Sequence, residues 1–141
     1  MGSAGVVTLR AARAEEHERL RELTFRSKAH WGYDHELVRR WTDGLEFDFP
    51  CDRWAAEADG ALVAWAALTV PQDGVAVLDH LWVDPARIGQ GLGGRLFRLA
   101  AERARELGAE RMEWGAEPNA LGFYEKMGGR VLRDHVSEWG R

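Results

Sequence analysis

Apolar and polar positions follow two rhythms along this chain, and each predicts its own elements. Residues 6–11 read as a strand, and over 15–25 Leu20, Leu23 and Phe25 stand among charges as on a surface helix. The pattern over 30–50 is poorer, with a helix expected around 34–41 and then a turn-rich stretch containing Gly44 and Pro50. Residues 53–58, the dipeptide Asp59-Gly60 and residues 62–70 form a hairpin signal, because Asp-Gly supplies the positive φ angles of a tight hairpin. Pro71-Gln72-Asp73-Gly74 then turns the chain into a third apolar run over 75–83. Three consecutive antiparallel strands are the expectation.

Beyond Val83 the rhythm changes. Leu92, Leu96, Leu99, Arg103 and Leu107 mark one face of a helix that Gly108 would end, and a strand over 111–115 follows. Strand, helix and strand are contiguous, so they form a crossover unit whose two strands run parallel. Pro118 suits the start of another helix, continuing over 122–127 and ending near Gly128-Gly129, and Val131-Leu132 form one more short strand. The expected fold is an α/β single domain with a mixed sheet: antiparallel N-terminal strands, then a parallel β-α-β crossover, with helices on both faces.

Composition narrows the chemistry. A chain of 141 residues, 45% hydrophobic, suits one domain with a single core. A formal charge of -4 gives no basic footprint, so neither DNA nor RNA is an expected partner. The lone Cys51 excludes an intrachain disulfide and a cysteine-based zinc site, leaving a buried structural thiol or a solitary nucleophile. No metal site is expected. No apolar run approaches the ~20 residues that span a membrane, and the N-terminus lacks a signal-peptide core, so a cytoplasmic location is expected. Lysine occurs only at Lys28 and Lys126, which reads as a compositional bias without functional content.

The candidate chemistry centres on residues 81–94. A short apolar strand of Leu81, Trp82 and Val83 leads through Asp84-Pro85 to Gly89-Gln90-Gly91-Leu92-Gly93-Gly94 at a helix start. Such a loop lets backbone amides approach a ligand, and the unpaired amides and dipole of the helix attract phosphate. An ordinary strand-to-helix turn is the plainer reading. Gly89, Gly91 and Gly94 also fit a dinucleotide-binding fingerprint, with Glu113 about 20 residues beyond the loop for a ribose contact. Two features oppose it: residues 85–88 separate the strand from the first glycine, and three antiparallel strands precede the unit. A nucleoside-triphosphate loop fails because no Lys-Ser or Lys-Thr follows the glycines.

These residues resemble the GNAT superfamily of acyl-CoA-dependent N-acetyltransferases, in an uncharacterised bacterial branch. Val83-Asp84-Pro85 and Gly89-Gln90-Gly91-Leu92-Gly93 match its first signature, and Asn119, Ala120, Phe123, Tyr124 and Gly128 match its later one. The resemblance is specific over 53–132, and residues 27–33 also look like that branch. Three departures stand out. Ile88 occupies the position where the family carries Arg or Gln, with Arg87 one residue earlier. Gly129 stands where an aromatic often closes the second motif. The sequence given ends at Arg141 where a last strand is usual, so either that strand is cut off here or the sheet is completed differently, by a partner chain or by the segment 136–139.

The resemblance implies acetyl-CoA as co-substrate and transfer of an acetyl group to a primary amine. Amides of Gly89, Gln90, Gly91, Leu92, Gly93 and Gly94, with Ile88 beside them, would hold the pyrophosphate. Leu81, Trp82 and Val83 would receive the pantetheine arm as an added strand where they splay from residues 111–115. Asn119 would bond the pantetheine or cap its helix, and Phe123 completes the cofactor side. Tyr124 is the candidate acid, because a phenol can donate to a departing thiolate; its alternative is a buried aromatic with a satisfied hydroxyl. For the base, Asp79 and His80 sit on the strand leading to the thioester, and alternation places them on opposite faces. His80 is favoured by its reference pKa, with Asp79 or a water chain as the alternatives. His30, Trp31, Tyr33 and Asp34 would line an acceptor pocket for a small amine or peptide, or else form a lid or dimer contact. Seven tryptophans and the missing strand make a homodimer plausible. A non-catalytic acyl-CoA-binding sensor remains the alternative to an enzyme.

Overall fold

The antiparallel run foreseen in the centre of the chain forms the spine of the molecule. A computed structural model describes residues 6–47 and 51–115. Its elements are β1 (Thr8–Ala11), α1 (His17–Ala29), α2 (His35–Asp43), β2 (Cys51–Ala58), β3 (Ala61–Thr69), β4 (Val75–Val83), α3 (Leu92–Glu106) and β5 (Arg111–Trp114). The expected helix over 118–127, the strand at Val131-Leu132 and the segment 136–139 lie outside the described residues.

The five strands lie in the order β1-β2-β3-β4-β5, antiparallel throughout except for β4 and β5, which run parallel. The mixed sheet and its crossover are therefore as the period change predicted. Asp59 and Gly60 close the β2-β3 hairpin with φ of 51° and 80°, the mirror-image turn that matches strand twist. β3 is the buried centre, where Ala64, Trp65, Ala66, Ala67 and Leu68 are fully inaccessible.

Helices cover both faces. On one, α3 lays Leu92, Leu96, Phe97, Ala100 and Ala104 against Ala66, Leu68, Ala76 and Leu78. On the other, Leu20 and Leu23 of α1 pack with Phe47, Ala55, Trp65 and Ala67. Small alanines along β2 and β3 let the helices come close, while the Trp65 indole fills the α1 side and donates to the Thr24 hydroxyl at 2.8 Å. α2 begins at Asp34, whose carboxylate accepts from the Leu37 amide at 3.0 Å, an ordinary N-cap.

Two features of β4 position everything that follows. Its pairing with β5 covers only Val75, Ala76, Val77 and Leu78, opposite residues 111–114. From Asp79 to Val83 that edge of β4 has no strand neighbour among the described residues. Against β3, the register passes from Ala67 opposite His80 to Leu68 opposite Leu78, so Asp79 is an extra, bulged residue.

Candidate functional site

The bulge overturns the expectation that Asp79 and His80 face opposite sides. Leu78 and Leu81, three positions apart, both pack on the α3 side. The two polar residues between them consequently share the α1 side, and Asp79 Oδ2 lies 4.0 Å from His80 Nε2. A strand with an inserted residue loses its period of two at that point. The sequence carried a trace of this in the spacing Leu78-Asp79-His80-Leu81, where two polar residues interrupt the alternation.

His80 is held tightly. Its side chain is 10% exposed, its ring stacks on Trp65 with centroids 4.6 Å apart, and Nδ1 accepts from the Trp82 indole N–H at 3.0 Å. With the Nδ1 lone pair engaged, a neutral ring carries its proton on Nε2. Burial pushes the imidazole below its ordinary pKa, the nearby Asp79 carboxylate opposes this, and Arg53 adds to it. Arg53 reaches the same face from β2, directly across Ala67, and donates to Cys51 Sγ at 2.9 Å. Burial raises the Cys51 thiol, so it is not an activated nucleophile.

The loop after β4 is pinned at its start. Asp84 accepts from the Ala86 amide at 3.0 Å and pairs with Arg26 at 3.1 Å, and its own amide donates to Val63 at 2.8 Å. Ser27 in α1 donates to the Val83 carbonyl at 2.7 Å, so the end of α1 is fastened to the end of β4. Gly91 then caps α3 in the left-handed region, with φ of 80°, a conformation that a side chain would strain. The helical ladder begins with the Arg95 amide donating to Gly91 at 3.1 Å. Among the described residues, the amides of Gly89, Gly91, Leu92, Gly93 and Gly94 have no acceptor, and they converge at the positive end of the α3 dipole.

Leu81, Trp82, Val83, Ile88, Gly89, Gln90, Gly91, Leu92, Gly93 and Gly94 are thus brought together around the open half of β4. The side chains diverge, however. Leu81 and Val83 pack toward α3, whereas Trp82 packs toward α1 and meets Trp41 edge-on at 5.8 Å. Ile88 is half exposed. Asn119, Phe123 and Tyr124 lie outside the described residues.

The aromatic cluster before α2 is partly committed to the chain itself. Lys28, buried at the end of α1, holds its ammonium 4.3 Å from the Tyr33 ring centre and 6.0 Å from that of Trp41. Asp34 is the α2 cap, and His30 and Trp31 meet edge-on at 4.8 Å. Lys28, Trp41 and Ser27 were not singled out from the sequence. Nothing in local periodicity shows that a lysine in α1 will meet an aromatic in α2. Among the described residues no cluster of metal-ligating side chains occurs, and no helix is long and apolar enough to cross a membrane.

Comparison with known proteins places this geometry. The family model described as "Acetyltransferase (GNAT) family" matches residues 13–129. Over 58 residues the chain is 41% identical to blasticidin-S acetyltransferase of Streptomyces morookaense, a match spanning 38% of this chain and 41% of that relative's length. The solved structure of a PaiA N-acetyltransferase from Thermoplasma acidophilum in complex with coenzyme A superposes with a TM-score of 0.76 at 19% identity, covering 92% of each chain. A GNAT family acetyltransferase from Brucella melitensis in complex with acetyl-CoA gives 0.68 at 23% identity, over 89% of this chain and 84% of that one.

Proposed function

Since the chain belongs to the GNAT family of acetyltransferases, we propose that it transfers an acetyl group from acetyl-CoA to a primary amine. The observation that carries this reading is the junction, among the described residues, of a β4 edge without a strand neighbour and the free amides at the start of α3. An open β4 edge over Asp79–Val83 can pair with an extended amide-bearing arm, and the free amides at the start of α3 can hold its phosphates. The residues present fit an acyl-CoA on both counts.

Acetyl-CoA would supply an activated acetyl group, which the amine nitrogen attacks as the carbon–sulfur bond breaks with its electron pair on sulfur. Tyr124 is proposed to protonate that sulfur, as the resemblance implies and as phenol acidity permits. On the acceptor side, Asp79 is better disposed than His80 to draw in an ammonium and take its proton. It is half exposed, while His80 is buried, lowered in pKa and blocked at Nδ1 by Trp82. His80 then stands behind Asp79 as a neutral ring, its Nε2 4.0 Å from the Asp79 carboxylate. The named relative, a blasticidin-S acetyltransferase, supports a small amine-bearing molecule as acceptor. His30 and Trp31 are the proposed acceptor wall.

Calorimetric titration with acetyl-CoA tests the donor half. Saturable binding abolished by Gly91→Asp, with no response to NADH, is the expected result. Folded protein that binds neither acetyl-CoA nor longer acyl-CoAs would sink the reading, and binding without thiol release against a broad amine panel would favour the sensor alternative.

A further inference from the structure

Alternation along β2 divides its polar residues between the two sides of the sheet. Asp52 reaches the α3 side, where it accepts from Arg103 at 2.9 Å, and Trp54 packs there as well. Cys51 and Ala55 belong to the α1 side, and Arg53 stands between them, its Nη1 donating to Cys51 Sγ at 2.9 Å. The strand register then sets rows across β2, β3 and β4 on that side. Ala55, Trp65 and Trp82 form one row, packed with α1. Arg53, Ala67 and His80 form the next, with the bulged Asp79 beside His80, and Cys51 and Thr69 begin the row beyond.

In the row of Arg53 only an alanine methyl lies between the arginine and the β4 residues. Two strand spacings, about 10 Å, separate the Arg53 and His80 backbones, a gap that an arginine side chain largely crosses. The electrostatics agree with that placement. The Arg53 guanidinium and the Asp79 carboxylate each act on both the Cys51 thiol and the His80 ring, in opposite directions. Both charged groups keep contact with solvent: Arg53 is partly buried and the Asp79 side chain is 47% exposed. A cation and an anion therefore face one position on the side from which Asp79 would meet the amine. A polybasic amine gains from carboxylates alone, and a guanidinium in the same row opposes it.

We infer that the acceptor is a zwitterionic amine, one that carries a carboxylate close to its reacting nitrogen, with Asp79 receiving the ammonium and Arg53 the carboxylate. This rests on the transfer reading above, whose amine it narrows to the amino-acid class. A planar fork of N–H donors suits a carboxylate, and a thiol is a weak enough acceptor for the same guanidinium to serve both. Once the ammonium has given its proton to Asp79, the attraction that drew it in is gone, and the carboxylate held at Arg53 keeps the neutral nitrogen in place. Arg53 thus sets specificity and takes no part in proton transfer.

The test is thiol release by the full chain from acetyl-CoA with the standard amino acids, each beside its carboxamide and its decarboxylated amine, and with spermidine. At least one amino acid should be used with kcat/KM about tenfold or more above both of its uncharged-tail partners, and spermidine should be poor. Arg53→Gln should erase that preference by raising KM for the acid, and Arg53→Lys should restore part of it. Arg105→Gln removes an equal charge from the exposed end of α3 and should change nothing. Carboxamides, decarboxylated amines or spermidine used as well as the acids overturn the inference while leaving the transfer reading intact. An Arg53→Gln loss equal for acid and carboxamide also overturns it, because it marks an arginine that only supports the fold. Acetyl-CoA bound by folded protein with no thiol released to any of these amines overturns the transfer reading and the acceptor class together.

Discussion

His80 shows how one residue's surroundings alter its chemistry. An exposed imidazole is a natural base near neutral pH, but this one is stacked on Trp65 and capped at Nδ1 by Trp82. Burial is the main force favouring the uncharged form, and the indole N–H held at Nδ1 is compatible only with a ring unprotonated there. Because its folded pKa is depressed below 6.5, His80 costs stability as pH falls from that value toward the folded one and costs nothing above it. Trp82→Phe removes the indole donor, and NMR titration should then show the His80 pKa rising toward its ordinary value. For the reaction, Tyr124→Phe should lower kcat by roughly 100-fold or more while leaving acetyl-CoA affinity intact. Full activity in that variant would remove Tyr124 from the mechanism. Asp79→Asn should reduce kcat/KM for the amine without altering donor binding, measured by thiol release.

At the level of elements, the N-terminal strand is locked by a buried charge cluster. Arg10 of β1 donates to Glu16 at 2.9 and 2.6 Å and to Glu57 of β2 at 3.0 and 2.8 Å. Glu16 also accepts from the Arg13 amide at 2.8 Å, which ties the entry to α1 onto the sheet edge. Its carboxyl is almost fully buried, and the Arg10 guanidinium lowers its pKa from 4.5 to about 2. A depressed carboxylate stabilises the fold above its unfolded pKa, and that contribution is lost as pH falls from 4.5 toward 2. Glu16→Gln should flatten that acid limb in denaturant melts and cost roughly 2–4 kcal/mol at neutral pH, since it removes the lowered carboxylate and leaves Arg10 paired with Glu57 alone. Ser27→Ala acts at the opposite end of α1. It leaves the Val83 carbonyl without its donor and should cost about 1–2 kcal/mol, read as a lowered Tm.

At the scale of the whole molecule, the proposed donor site joins elements distant in the chain: the bulged β4, the loop it runs into, the α3 dipole and the α1 residues that pin the junction. A ligand bridging them must stabilise the fold by mass action. Acetyl-CoA at 100 times its Kd should contribute about 2.7 kcal/mol and raise Tm by several degrees, whereas NADH should not. Gly91→Asp should cancel the shift. Much of this assembly was written locally. Asp59-Gly60, the glycines at the start of α3 and the two periods of apolar residues act over a few positions, so their strands, turns, crossover and free amides could be read in order along the chain. The Asp79 bulge and the capture of Lys28 by Tyr33 and Trp41 were not read that way. A bulge is settled by which neighbouring strand offers the better register, and a cation settles where aromatic rings from another element converge. Chain order therefore placed the glycine loop proposed for the donor, while packing across the sheet decided which polar groups of β4 stay exposed and which are consumed in holding the fold.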